Sequence, residues 1–161
     1  MRVLGIDPGT ATVGIGIVDE AADGSLSSVY HGVIRTTPDQ PMPQRLDTIY
    51  EAITALVARY QPDAGAVEEL FFAKNVTTAI TVAQGRGVVL LALQRARVPI
   101  YEYKPNIVKQ TVSQYGGAGK AQMQEMVRIL LNLAEVPKPD DAADGLAIAI
   151  AHIQHNPYLS P

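Results

Sequence analysis

The stretch RVLGID at residues 2–7, followed by PGTA at 8–11 and TVGIGIV at 12–18, decides the fold class. Both flanking runs are rich in β-branched residues, and the short Pro-Gly connection between them predicts a pair of antiparallel strands. A third run of this kind, SVYHGVIRT at 28–36, extends the pair to an antiparallel meander. The first strand ends on Asp7, and an acidic residue is seldom found in the buried core that such an apolar strand predicts.

Beyond the meander, the spacing of apolar residues predicts helices that alternate with two more strands. Short strands are expected over 64–70 and 98–103. Helices are expected over 46–60, 75–97, 106–114, 121–134 and from about 140 to 155. The order β-β-β-α-β-α-β-α-α-α predicts an α/β fold with a mixed five-stranded sheet flanked by helices. We expect a single domain over residues 1–155 and a short tail over 156–161.

Composition narrows the class of protein. The 161 residues are 47% hydrophobic and 18% charged, which fits one globular domain and excludes disorder. No apolar run reaches the roughly 18 residues of a membrane span, so we expect no membrane partner. The lack of cysteine excludes disulfides and thiolate ligands and fits a cytoplasmic location. With three histidines in all, metal chemistry must rest mainly on carboxylates.

Charge is distributed unevenly along the chain. The net charge is −3, yet residues 70–128 carry eight basic and two acidic side chains, whereas residues 1–69 carry four basic and ten acidic ones. A basic middle third allows a local nucleic-acid patch that the net charge conceals. The alternative is that these bases are scattered over solvated helix faces.

Several acids fall at positions where burial is expected: Asp7, Glu68, Glu69, Asp141 and Asp144. Asp141 and Asp144 are three residues apart and so share one helix face. Grouped buried carboxylates are tolerable when a hard cation such as Mg²⁺ or Mn²⁺ joins them. Singly, Asp7 can serve a turn, Asp140 or Asp141 can cap a helix, and Glu69 can face water. Spacing alone does not decide whether Glu68 or Glu69 belongs to the cluster, or whether Asp140 or Asp141 does.

A carboxylate metal cluster favours phosphoryl transfer. Two cations about 4 Å apart can activate a water and stabilise the leaving oxygen of an in-line displacement. The sequence has neither a GxSxG elbow nor a P-loop. Instead, the glycine-rich segment 116–119 precedes Lys120, which a mobile loop would bring to a phosphate.

Six segments together resemble the RuvC family of bacterial Holliday-junction resolvases: GIDPGT at 5–10, AVEELF at 66–71, AKNVTTAITVAQGRGV at 73–88, YEYKPNIVKQTV at 101–112, GKAQMQEMVRILL at 119–131 and DAADGLAIAIAH at 141–152. The resemblance implies a ribonuclease-H-like fold and a homodimer that nicks two opposed strands of a four-way junction near-symmetrically. It further implies dependence on Mg²⁺ or Mn²⁺, 5′-phosphate and 3′-hydroxyl ends, and a RuvA–RuvB branch-migration motor as partner.

The resemblance also assigns residues. It implies Asp7, Glu68, Asp141 and Asp144 as catalytic metal ligands, with Lys109 and Lys120 beside the scissile phosphate. It implies DNA contacts at Phe71, Lys74, Asn75, Arg86, Lys104, Lys109, Gln110 and Lys120. Phe71 would stack on an unpaired base, and the alternative is a core position beside Phe72. For the helix over 75–97, the family favours a subunit interface over simple core packing.

Three other functions fit parts of the sequence. The segment DPGT at 7–10 is similar to a DxGT loop of ATP-binding modules of the actin and sugar-kinase type, but that fold needs two lobes and this chain supplies one. A catalytically inactive junction-binding protein is disfavoured because all four acids are present. A related nuclease acting on RNA precursors shares only the first motif. His152 is interpreted as a surface or core histidine rather than a ligand.

Overall fold

A computed structural model describes residues 1–70 and 76–155 and contains the expected mixed five-stranded sheet. The strands are β1 (Arg2–Asp7), β2 (Thr12–Glu20), β3 (Leu26–Arg35), β4 (Ala64–Glu68) and β5 (Ile100–Tyr103), in the spatial order β3-β2-β1-β4-β5. The first three pair antiparallel, which confirms the predicted meander. Strands β4 and β5 join in parallel, each after a helical connection.

The helices are α1 (Met42–Tyr60), α2 (Val76–Arg95), α3 (Pro105–Ser113), α4 (Lys120–Leu130) and α5 (Asp140–His155). Their order agrees with the prediction, whereas several ends differ. Helix α1 begins at Met42 rather than at 46, because a proline is tolerated in the first turn of a helix. Helix α4 ends at Leu130 rather than 134, since Asn132 adopts a left-handed backbone that stops it.

Helices cover both faces of the sheet. Along β1, Val3 packs in the layer of α3, α4 and α5, while Leu4 and Ile6 pack in the layer of α1 and α2. This alternation follows from the two-residue period of a strand. The chain therefore buries two apolar cores, one on each side of the central strands.

Helix α5 lies directly on the sheet because glycines remove the side chains between them. A Cβ at Gly145 would lie 2.6 Å from the Gly16 nitrogen, and one at Gly5 would lie 2.5 Å from the Ala149 nitrogen. A Cβ at Gly14 would collide with the carbonyl of Asp141. This close approach sets the distance from the first turn of α5 to the end of β1.

Helix α2 carries an exposed apolar stripe opposite its buried face. Val76, Ile80 and Leu91 are 68%, 57% and 51% exposed, and Ala83 and Gly87 continue the same line. By length and composition alone, α2 is also long and apolar enough to cross a membrane. Arg86, which forms an ion pair, interrupts its apolar sequence near the centre.

Candidate active site

Asp7 and Glu68 meet at one edge of the sheet. Strands β1 and β4 run parallel with Ile6 opposite Val67, so the next residue of each strand follows at the same level. The two acidic side chains are close enough for each to affect the pKa of the other.

The first turns of α5 complete the acidic cluster. One carboxylate oxygen from each of Asp7, Asp141 and Asp144 lies within 4.8 Å of the others, and all three residues are half-buried. The short distance between α5 and β2 brings this helix face to the strand ends. The structure thus gathers all four acids that the resemblance singled out.

Burial and mutual repulsion disfavour the charged forms of Asp7, Glu68 and Asp144. Burial, and then the charges of Glu68, Asp144 and Asp141, raise the pKa of Asp7 to about 8. Burial also raises the pKa of Glu68 and of Asp144, against the opposing effect of nearby lysines. A site of oxygen donors with excess negative charge fits a hard divalent cation, which would stabilise the ionised forms.

The neighbouring acids left open by the sequence lie elsewhere. Glu69 lines a separate cavity with Tyr103 and His155. The Asp140 side chain is 46% exposed and pairs with Lys138 at 3.4 Å and with Lys120 at 3.6 Å. Glu68 and Asp141 are therefore the members of the two ambiguous pairs that face the cluster.

Two lysines face the acids across a cavity of about 320 Å³. Lys109 comes from α3 and Lys120 from the first turn of α4, so the lysines and the acids are carried by different elements of the fold. Apolar side chains that sequence reasoning missed complete the lining: Pro105, Val108, Met123, Ala147 and Ile148. Their signal was available, because most lie within four residues of an acid or lysine already identified.

A basic cavity of about 550 Å³ adjoins this one. Lys109 lines both cavities, and Lys104 and Asn106 line the second. Gln110 is exposed on the same helix, α3. Of the predicted DNA contacts, Lys104, Lys109, Gln110 and Lys120 therefore lie on or beside one surface.

Arg86 is engaged within the protein. Its guanidinium forms an ion pair with Glu102 and donates to the carbonyl of Glu68 at 3.2 Å, and its side chain is 17% exposed. Its expected contact with DNA remains a prediction. Phe71, Lys74 and Asn75 lie outside the described residues.

His152 belongs to the core. It is fully buried, its Nδ1 lies 2.8 Å from the Tyr103 hydroxyl, and its ring contacts that of Tyr101. Burial lowers the pKa of His152, so the imidazole is neutral near physiological pH. It does not line the acidic cavity.

Comparisons with known proteins agree with this geometry. Residues 3–152 match the family model described as crossover junction endodeoxyribonuclease RuvC. The chain is 59% identical over 159 residues to the protein of that name from Chloroflexus aggregans, covering 99% of this chain and 96% of that one. Thermus thermophilus RuvC superimposes with a TM-score of 0.90 at 37% identity, covering 97% and 95% of the two chains. T. thermophilus RuvC in complex with a Holliday junction substrate gives 0.91 at 38%, covering 97% and 94%.

Proposed function

This chain belongs to the RuvC family of crossover junction endodeoxyribonucleases, and on that premise we propose that its acidic cavity hydrolyses phosphodiester bonds at Holliday junctions. The observation that carries the proposal is the convergence of Asp7, Glu68, Asp141 and Asp144 opposite two lysines. The reaction would serve recombination and repair by placing paired, near-symmetric nicks in two opposed strands, leaving 5′-phosphate and 3′-hydroxyl ends.

The donor set supports Mg²⁺ as the cofactor, with Mn²⁺ as a substitute and two ions per site during catalysis. All four candidate ligands are carboxylates, the class of ligand that these cations prefer. When bound, the metal supplies Lewis acidity to the attacking water and the leaving 3′-oxygen. The raised pKa of Asp7 supports this reading, because a cation would offset the burial and the repulsion that produce it.

The protein's own side chains contribute orientation and charge. The acids sit on the sheet and on α5, both of which are well packed, so their positions are fixed before substrate arrives. Lys109 and Lys120 extend from the opposite wall, where their ammonium groups would stabilise negative charge developing on the scissile phosphate. The strand being cut would lie between these two walls.

The adjoining basic cavity supports a path for the rest of that strand. Lys104, Lys109 and Gln110 would hold its phosphates, which fixes register without reading sequence. Phe71, Lys74 and Asn75 remain part of the proposed DNA surface on the strength of the family resemblance alone. Because phosphate contacts release counterions, junction binding is expected to weaken steeply with salt.

We further propose that the α2 stripe pairs with a second copy of this chain. An exposed line of Val76, Ile80 and Leu91 is costly in a monomer, and Gly87 leaves room for a partner helix to approach closely. Two nicks in opposed strands need two active sites, which a homodimer supplies. The RuvA–RuvB motor as partner and action in the cytoplasm follow from the family.

The proposal is tested with synthetic four-way junctions and a linear duplex of the same sequence. We expect Mg²⁺-dependent cutting of the junction and little cutting of the duplex. Asp7→Asn should bind the junction normally and lose cutting, because it removes one ligand and one charge while keeping the side-chain shape. Near-normal cutting by Asp7→Asn, or equal cutting of the duplex, would contradict the assignment.

A further inference from the structure

We propose that Arg86 is a positioning residue, which ties helix α2 to the main chain of Glu68 and so holds the Glu68 carboxylate at the metal cavity. The inference rests on the proposed function, because it concerns the same cavity. It gives Arg86 a role different from the DNA contact expected from the sequence.

The contacts of Arg86 point in two directions. Its Nε donates to the Glu68 carbonyl at 3.2 Å, while Nη2 pairs with the carboxylate of Glu102 on β5. A guanidinium has donors on several edges of one rigid plane, so a single side chain serves both partners. Glu102 thereby anchors the group that holds Glu68.

The bond falls where the sheet restrains Glu68 least. Glu68 is the last residue of β4, and the amide of Glu69, which donates to the Tyr103 carbonyl at 2.8 Å, makes the next main-chain bond along that edge. Beyond the end of a strand, orientation must come from other contacts. Arg86 binds the carbonyl rather than the carboxylate, so it orients Glu68 and leaves the carboxylate oxygens free for a cation.

The same segment of α2 also holds the connection that follows Asp7. The Thr10 hydroxyl donates to the carbonyl of Thr81. Gly85 packs so closely that a Cβ there would lie 2.5 Å from the Gly9 carbonyl oxygen. Residues 81–86 therefore brace both strand ends that deliver acids to the cavity, while the exposed stripe lies on the opposite side of the helix.

A phosphate contact by Arg86 would carry a cost that the lysines avoid. The side chain is 17% exposed and its charge is already paired with Glu102. Binding DNA would require it to leave both partners and expose the Glu68 carbonyl. Lys104 and Lys109, in contrast, are exposed and have no ion pair among the described residues, so they provide the phosphate surface without such a loss.

The test compares Arg86→Met with Glu102→Gln and with the control Arg97→Met, which removes an exposed arginine just beyond α2. Mn²⁺ binding to the metal-free protein is measured by electron paramagnetic resonance. Junction affinity is measured separately with Ca²⁺ in place of Mg²⁺. Single-turnover cutting is then followed against Mg²⁺ concentration.

We expect Arg86→Met to weaken Mn²⁺ binding by about tenfold or more, the usual effect of losing a contact that orients a metal ligand. Cutting should recover as Mg²⁺ is raised, and junction affinity should stay within about twofold, since no phosphate contact is lost. Glu102→Gln should give a smaller loss of Mn²⁺ affinity, because the bond to Glu68 remains but its anchor is weakened. Arg97→Met should match the wild type.

Unchanged Mn²⁺ affinity in Arg86→Met, or a loss of junction affinity with metal binding intact, would overturn the proposal. If Arg86→Met does not fold, Glu102→Gln decides: wild-type Mn²⁺ affinity in that variant counts against the role. Failure of the wild type to cut junctions would contradict the proposed function instead, and the Mn²⁺ titration would still report on Arg86.

Discussion

At the scale of single residues, Asp7 combines two opposing requirements. In its proposed role as a metal ligand it must be ionised, yet burial and three neighbouring acids raise its pKa to about 8 from 3.8. In the metal-free protein the proton is therefore bound more tightly when the chain is folded than when it is unfolded. By linkage, the stabilising contribution is complete below about pH 4 and is lost as the pH rises through about 8.

Asp7→Asn tests this linkage, because asparagine stays neutral at every pH. Without metal, we expect the variant to be more stable than the wild type at about pH 9 by about 2 kcal/mol, or roughly 4–8 °C in Tm, since it removes a buried charge. At about pH 4 the two should unfold together. Thermal melts in chelator at several pH values measure the difference. A gap that widens as the pH falls would contradict the sign of the argument.

At high pH, Mg²⁺ should reverse the order of stability of the wild type and Asp7→Asn. The cation stabilises the folded wild type by binding its ionised acids, whereas Asp7→Asn has lost one ligand. We therefore expect Mg²⁺ to raise the Tm of the wild type more than that of the variant. Equal shifts in both proteins would place the bound cation away from Asp7.

Lys120 and Lys138 form a matched pair at this scale. Both ammonium groups pair with Asp140, but of the two only Lys120 lines the acidic cavity. We expect Lys120→Ala to slow single-turnover cutting by about tenfold to a hundredfold with less than about a threefold change in junction affinity. Lys138→Ala should cut at the wild-type rate. A similar loss of rate in both would point to Asp140 rather than to phosphate charge.

At the scale of elements, the seat of α5 on the sheet determines where Asp141 and Asp144 lie. Gly16 and Gly145 face each other across this contact, and neither has room for a side chain. The alignment of the helix face with the end of β1 therefore depends on main chain packing against main chain.

Gly16→Ala should separate α5 from β2. We expect a loss of about 3 kcal/mol in the free energy of unfolding, because the new Cβ meets backbone atoms that cannot move independently. Any folded fraction should bind Mn²⁺ more weakly, as the two helix acids withdraw from Asp7. Gly119→Ala, where a Cβ meets nothing within 4 Å, is the control and should change stability by less than about 1 kcal/mol. Urea titration and Mn²⁺ binding together measure both effects.

The type and order of the helices and strands were predicted more completely from the sequence than any other feature of the structure. Alternating and 3.6-residue periods depend on local neighbours, so the meander and the order of helices followed from the pattern. Helix ends were less accurate, because the left-handed backbone at Asn132 and the early start at Met42 depend on single residues. The glycine contact of α5 was missed, since nothing in a local window tells which strand a helix will cover.

At the scale of the whole molecule, the α2 stripe predicts association. Ile80 on the stripe and Ile129 on α4 are similarly exposed, at 57% and 53%. We expect Ile80→Glu to convert the protein to monomers, because a buried unpaired charge at an apolar interface is costly. Ile129→Glu should leave the dimer intact. Light scattering coupled to size exclusion measures the mass, and a dimeric Ile80→Glu would exclude this stripe as the interface.

The assembly of the cavity was only partly predictable at this scale. The family resemblance selected Glu68 and Asp141, a choice that spacing could not make, and the structure brings both to the cluster. Which bases face inward depends on long-range packing, so the sequence grouped Arg86 with the lysines expected to bind phosphate and did not predict its ion pair with Glu102. Counting charges by segment identifies a basic region of the chain, but it does not show which of its basic residues form ion pairs within the protein.

The glycine contact between α5 and the sheet also restricts which amino-acid substitutions this protein can accept. Any missense change at Gly5, Gly14, Gly16 or Gly145 adds atoms where backbone already fills the space. No conservative replacement exists at these positions, since alanine is already too large. In a saturation mutagenesis library selected for survival of DNA damage, these four positions should tolerate no substitution. Three of them lie in the β1–β2 hairpin and one lies in helix α5. At the neighbouring aliphatic positions, substitution by another aliphatic residue should be tolerated.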